Sequence, residues 1–287
     1  KEATVFNHNL YIQGNNGPGS QGPPSTDVIV KENIFTNASS HGIQQRSGGI
    51  MNDNFFARNP IATSFGDNED SPKIDNVMQC NVFVEGVDLT SSLTRGWGPE
   101  AKDNGDANEV DITANLIING SGSNETGLDL ITESVVTPGP NPGGDWNLVN
   151  NIFYDWKHGH PTETGAGTIK TNTGNIYWED AGDSDYTIPG GNFDADDVTF
   201  ANATPTDVDV AAYDLAAGGP GTYANFETQI RDMSKDTWDA AYHNAKQINN
   251  WFHQQFVATS GGGGLDLTAE CPFTAAGAVV PSGAMIF

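Results

Sequence analysis

One local phrase of polar and apolar positions recurs along the chain: an asparagine, then two places later an aromatic residue or isoleucine. It occurs as Asn9-Leu-Tyr11, Asn33-Ile-Phe35, Asn54-Phe-Phe56, Asn81-Val-Phe83, Asn115-Leu-Ile117, Asn151-Ile-Phe153 and Asn175-Ile-Tyr177. Successive asparagines lie 24, 21, 27, 34, 36 and 24 residues apart. Short alternating segments precede them, such as Val28-Ile-Val30, Val110-Asp-Ile112 and Trp146-Asn-Leu148, and these read as strands. A period in the twenties with uneven insertions predicts stacked rounds of short strands, an all-β solenoid, rather than an α/β domain. The expected architecture is a right-handed parallel β-helix. Each asparagine would sit at a bend and bond its copies above and below in an Asn ladder, and the residue two places on would point into the core. Stacking Asn9 on Asn33 would place Tyr11 over Phe35.

Leucine-rich repeats are excluded because leucine is sparse, and a β-sandwich would space its strands at 8–12 residues without this self-similarity. The longer intervals predict inserted loops at 65–76, 94–108 and 119–145, projecting from one side. The chain is read as a single domain over 1–287, with regular coils over 1–180. Residues 181–287 form an irregular acidic tail in this reading. Within it, Trp238, Ala241, Tyr242, Ala245, Ile248, Phe252 and Phe256 recur at spacings of three and four. That predicts an amphipathic helix over 236–256, N-capped by Ser234 or Asp236, that packs along the coil or over its end. The segment 278–287 reads as one more strand.

Composition supports this outline. The chain holds 34 glycines and only 17% charged residues, which suits many turns between short strands. The net charge of −25, from 12 basic and 37 acidic residues, argues against nucleic acid as a partner. No stretch is long and apolar enough for membrane insertion. Lys1 leads directly into strand-like sequence without a leader, as in a trimmed or mature chain. The two cysteines, Cys80 and Cys271, form either one bridge or a pair that includes a buried free thiol at Cys80.

The charge is unevenly spread. Residues 1–60 balance Lys1, Lys31, Arg46 and Arg58 against Glu2, Asp27, Glu32 and Asp53, so the whole excess lies beyond them. That neutral stretch also carries the candidate chemistry: His8, Tyr11 and Gln13 in one phrase, and His41, Gln44, Gln45 and Arg46 in another. Isolated histidines and arginines on a solenoid are usually solvated or paired with a carboxylate. Their clustering in the one electroneutral stretch raises them to a candidate site. Acidic groups at Asp67, Glu69, Asp70 and Asp75, and at Asp183, Asp185, Asp194, Asp196 and Asp197, are candidates for Ca²⁺ ligands, although none has EF-hand spacing.

Val30-Lys-Glu-Asn-Ile-Phe35, Gly42-Ile-Gln-Gln-Arg46 and Ile50-Met-Asn-Asp-Asn-Phe-Phe56 together resemble the β-helical polysaccharide lyases that include alginate lyases and chondroitinase B. The resemblance covers about 30 residues and implies that Arg46 matches the arginine implicated as proton donor. It departs from the family where a lysine base is expected, near Pro23-Pro24. It implies a secreted or cell-surface enzyme that cleaves an acidic, uronic acid polysaccharide by β-elimination. His41 or Tyr11 would be the base, and Arg46 the acid or the carboxylate clamp. His8, Gln13, Lys31, Gln44, Gln45 and Arg58 would bind sugar. The alternatives are a non-catalytic structural or adhesive solenoid, and a glycoside hydrolase or epimerase on the same scaffold.

Overall fold

A computed structural model describes residues 8–12, 28–66, 76–88, 90, 96–103, 109–119, 126–132, 145–156, 158–164, 168–179, 186–233 and 244–272. The structure is rich in β-strands, most of them parallel, arranged in several sheets. The chain visits three of these sheets in turn, and strands pair with their counterparts one round on. Sheet B holds Ile29–Lys31, Gly49–Asn52, Asn76–Gln79, Val110–Thr113, Asp145–Val149 and Thr168–Thr173. Sheet C follows in each round, with Ile34–Thr36, Phe55–Ala57, Val82–Val84, Leu116–Ile118, Ile152–Tyr154 and Ile176–Glu179, and ends on Phe193–Asp194. Sheet A closes the round with Leu10–Ile12, His41–Gln45, Ile61–Gly66, Trp97–Asp103, Thr126–Thr132 and His158–Thr164. At the far end A and C join, because His158 and Gly159 pair antiparallel with Glu179 and Trp178.

The bend from B to C explains the recurring asparagine. The residue before each ladder asparagine has positive φ: Glu32, Asp53, Cys80, Ala114, Asn150, Gly174 and Gly191. That left-handed residue turns the chain sharply, and the asparagine after it occupies the inside of the corner. Its Oδ1 accepts from the backbone N–H and the Nδ2 of the asparagine one round earlier. Asn54 accepts in this way from Asn33 at 3.0 and 3.2 Å, and Asn81 from Asn54 at 2.9 and 3.0 Å. The chain of bonds continues through Asn115, Asn151 and Asn175 to Asn192.

Asn9 is not part of this ladder. Its strand belongs to sheet A, where Tyr11 stands opposite Gln44 instead of over Phe35, and Asn9 Nδ2 donates to the Thr36 carbonyl. The local phrase is the same, but the neighbouring strand decides the sheet. The last ladder member, Asn192, escapes the sequence pattern because the residue two places on is Asp194.

Two apolar layers flank sheet C. On the inner side, Phe35, Phe56, Phe83, Ile117, Phe153 and Tyr177 share one buried cluster with Ile43, Phe65, Met51 and Met78. Phe35–Phe56 and Phe56–Phe83 ring centroids are 4.9 and 4.8 Å apart, the spacing of neighbouring strands; Ile117 takes the next place, and Phe153 and Tyr177 stack beyond it at 5.2 Å. On the outer side, Ile34, Phe55, Val82, Leu116, Ile152 and Ile176 face the tail. Burial on both faces makes C strands such as Val82–Val84 and Leu116–Ile118 unbroken apolar runs, whereas B strands such as Asn76–Gln79 and Val110–Thr113 alternate buried and half-exposed positions.

The tail is more ordered than its composition predicts. It forms α1 (Val210–Ala216), α2 (Tyr223–Asp232), α3 (Ala245–Gln255) and α4 (Leu267–Glu270). The expected helix over 236–256 is corrected at its start. Asn244 has an extended backbone and caps α3 in a capping box with Gln247, so α3 begins at Ala245. Ser234 and Asp236, the expected caps, lie outside the described residues, as does the strand expected over 278–287.

Ile248 and Phe252 of α3 and its C-cap Phe256 pack with Phe226 and Ile230 of α2 onto the outer layer of sheet C. Polar bonds fix this docking. Asn249 Nδ2 donates to the carbonyls of Asn54 and Cys80, and Glu85 Oε1 accepts the Val210 N–H at 2.8 Å. Asn119 donates to Val208, and Tyr223 bonds Thr36. A disulfide between Cys80 and Cys271 ties the end of α4 to the third round and resolves the cysteine question in favour of a bridge. Among the described residues, no helix is long and apolar enough to cross a membrane.

Candidate functional site

The outer face of sheet A is where polar side chains converge. Ile43, Phe65, Ala101, Leu128 and Leu130 turn inward into the core, so the residues alternating with them turn outward. Register stacks Tyr11, Gln44, Ser64 and Glu100 in one outward row across four strands. Gln45 pairs with Phe65 and Lys102 with Gly66, which sets Arg46 and Lys102 on either side of the Gly66 strand, about 10 Å apart by strand spacing.

Glu100 is the hub. It is 5% exposed, and its Oε2 lies 3.7 Å from His41 Nε2 and 3.9 Å from Lys102 Nζ. Its Oε1 accepts the Trp97 indole N–H at 3.2 Å. Burial alone would raise this carboxyl, but the His41 imidazole and the Lys102 charge outweigh it and hold the group below the ordinary carboxylate value. Glu100 therefore stays ionised in the interior of the cluster.

His41, 6% exposed, links Glu100 to the open side. Its Nδ1 stands 3.0 Å from Ser40 Oγ and 3.0 Å from His8 Nδ1. His8 stacks on Tyr11 with ring centroids 5.5 Å apart, and the Arg46 guanidinium lies 5.7 Å over the same Tyr11 ring. Tyr11 is 41% exposed and Arg46 half-buried, so this end of the cluster meets solvent. Among the described side chains the charged groups are one carboxylate, Glu100, and two cations, Lys102 and Arg46, and the strand register sets Asp129 opposite Glu100 on the next strand.

Five of the residues expected from sequence meet here: His8, Tyr11, His41, Gln44 and Arg46. Others are placed elsewhere. Gln45 is fully buried and turns inward, where its Nε2 donates to the Gly48 carbonyl at 2.8 Å; strand alternation assigns it the face opposite Gln44. Arg58 leaves the bend after the second C strand and binds Glu85 at 2.5 Å while stacking 3.9 Å over the Tyr223 ring, so it anchors the tail. Lys31 stands on sheet B beside Glu32 at 3.3 Å. Gln13 lies outside the described residues, with Asp67, Glu69, Asp70, Asp75, Asp183 and Asp185. Of the other acidic candidates, Asp194 caps a short 3-10 turn that carries Asp196 and Asp197, accepting the Asp196 N–H at 3.0 Å. Among the described residues, no group of three or more His, Cys, Asp or Glu side chains has the arrangement of a metal site.

Glu100, Lys102, Ser64 and Trp97 were not anticipated. The one signal for them was the polar pair two residues apart in Glu100-Ala-Lys102. The unequal insertions between rounds concealed that this pair stacks beside Gln44 and Arg46.

No protein-family model, curated protein or solved structure matches this chain.

Proposed function

We propose that this protein is a carbohydrate-active, right-handed parallel β-helix of polysaccharide lyase type that cleaves a uronic acid polymer by β-elimination. The regular return of the chain through sheets B, C and A, with parallel pairing between successive rounds and a continuous asparagine ladder, supports the β-helix. The near-universal right hand of parallel crossovers supports its handedness.

The observation that carries the activity is the convergence of His8, Tyr11, His41 and Arg46 in one cluster on sheet A that meets solvent at Tyr11. A uronate needs a cation on its carboxylate, a base at the carbon beside it and an acid at the leaving oxygen. Arg46 supplies the clamp. His8 and Tyr11 supply an imidazole and a phenol as the groups that take and give the proton. Gln44 borders the row as a donor to sugar hydroxyls. The disulfide between Cys80 and Cys271 favours an oxidising, extracellular or cell-surface setting.

Incubation of the purified protein with alginate, pectate and chondroitin sulfate tests this reading, followed by the ultraviolet absorbance of the unsaturated uronate product. Release from one of these polymers, abolished in Arg46→Ala with the fold retained, is the expected result. A folded protein that releases product from none of them would overturn the proposal in favour of a non-catalytic structural or adhesive solenoid.

A further inference from the structure

We infer that His8 is the base of this site and that His41 and Glu100 stand behind it as a two-member proton relay. The inference rests on the lyase reading above and adds to it which nitrogen takes the proton and how the resulting charge is held.

The order of hydrogens follows from the carboxylate. Glu100 is held ionised, so it presents only acceptors, and the His41 nitrogen facing it, Nε2, carries a hydrogen. In the neutral imidazole the opposite nitrogen, His41 Nδ1, then bears the lone pair. His8 Nδ1 lies 3.0 Å from that lone pair and must donate to it, which leaves the lone pair of His8 on Nε2. Ser40 Oγ, 3.0 Å from the same His41 nitrogen, can likewise only donate its hydroxyl hydrogen to that lone pair. The basic nitrogen of the chain is therefore on the half-buried ring of His8, beside the exposed Tyr11, and not on His41, whose two nitrogens are both engaged and which is 6% exposed.

The 3.7 Å between His41 Nε2 and Glu100 is long for a hydrogen bond, but an ionised carboxylate at this separation attracts an N–H and repels a lone pair, which favours the tautomer with hydrogen on Nε2. Such contacts in an unliganded site shorten when substrate excludes water.

In the reaction, His8 Nε2 takes the C5 proton of the uronate. The C–H electron pair becomes the C4–C5 double bond, and the C4–O bond breaks with its pair going to the leaving oxygen. Tyr11 O–H supplies the proton to that oxygen. The imidazolium passes its Nδ1 proton to His41, so the positive charge comes to face Glu100. After product leaves, the proton returns through the stacked His8 ring to the Tyr11 oxygen, and no proton, electron or water is gained or lost. The other charges facing the relay are Lys102, paired with Glu100 across 3.9 Å, and Arg46 over Tyr11. Both oppose proton uptake. Glu100 favours it, and Asp129, opposite Glu100 in the strand register, is the next carboxylate along the row.

The test uses the full chain and whichever of alginate, pectate and chondroitin sulfate it degrades. His8→Ala should lower kcat by about 10²- to 10⁴-fold, the usual contribution of a general base. Free imidazole added to His8→Ala should restore activity, which a merely structural loss would not permit. Glu100→Gln should lower kcat and move the acidic limb of kcat/KM to lower pH by about one unit, because the imidazolium loses its counter-charge. Nitrogen-15 NMR of the unliganded protein should find His8 protonated on Nδ1 and not on Nε2. An active wild type with His8→Ala fully active or beyond rescue by imidazole, or with His8 carrying its proton on Nε2, would overturn the relay and leave the lyase reading standing. A wild type inactive on all three polymers would overturn both.

Discussion

Truncation of one interior ladder asparagine is the sharpest test of how this chain holds its rounds together. Asn81 Oδ1 accepts two hydrogen bonds from Asn54, through the backbone N–H at 2.9 Å and Nδ2 at 3.0 Å. Its own Nδ2 donates to the Met51 carbonyl and to Asn115 Oδ1, both at 3.0 Å. Asn54 and Asn81 are fully buried, so no water replaces a missing partner. In Asn81→Ala the two Asn54 hydrogens are stranded, each at about 1–3 kcal/mol, so the expected loss is about 4 kcal/mol. That is a large share of a typical folding stability of about 5–15 kcal/mol. Asn33 provides the internal control. Among the described residues its side chain gives bonds to the ladder without accepting any, so Asn33→Ala strands no ladder donor and should cost only about 1 kcal/mol. Urea unfolding followed by tryptophan fluorescence measures both. Equal losses at the two positions, or a loss below about 1 kcal/mol at Asn81, would refute the reasoning that stranded donors set the cost.

Two further predictions concern the docked tail. His253 on α3 is 1% exposed, and burial pushes its pKa down to about 4, below the unfolded value near 6.5. Its contribution to stability is therefore complete above pH 6.5 and is lost as pH falls from there toward 4, by about 3 kcal/mol in all. Denaturation midpoints measured at pH 7 and pH 5 should converge in His253→Gln relative to the native protein; an unchanged pH dependence would count against it. The disulfide closes a separation of 191 residues, for which chain entropy predicts up to about 5 kcal/mol. The double variant Cys80→Ser, Cys271→Ser should unfold at markedly lower urea, with α3 and α4 amides exchanging first, and an unchanged midpoint would show that packing alone holds the tail.

The parallel rounds were legible in the sequence because their cause is local. A left-handed residue and then an asparagine make one corner, and an aromatic ring or isoleucine two places on makes one layer of the core, so Asn33, Asn54, Asn81, Asn115, Asn151 and Asn175 all announce themselves. The unbroken apolar triplets after them, such as Leu116-Ile-Ile118, also carried a message: a strand apolar on both faces must be covered on both. Asn9 shows the limit of this reading. It satisfies the phrase yet lies in a different sheet, since the phrase records a residue's own conformation and not the strand it pairs with.

Five members of the candidate site were visible because they cluster in the one neutral stretch of an acidic chain. Glu100 and Lys102 were not. They follow insertions of unequal length, and only the register between strands brings them under His41 and beside Arg46. Arg58 was equally ambiguous as a charge in a list of residues; Glu85 and Tyr223, 27 and 165 positions away, decide that it anchors the tail.

Sequence alone determined the elements whose geometry depends on a few consecutive residues: the corners, the ladder and the aromatic stack. Tertiary structure decided what depends on distant partners: which strand carries Asn9, where the tail docks, that Cys80 bonds Cys271, and that a buried carboxylate stands behind two histidines. Local conformation is set by short-range sterics and hydrogen bonds, whereas charge and proton order depend on through-space distances that no spacing along the chain encodes.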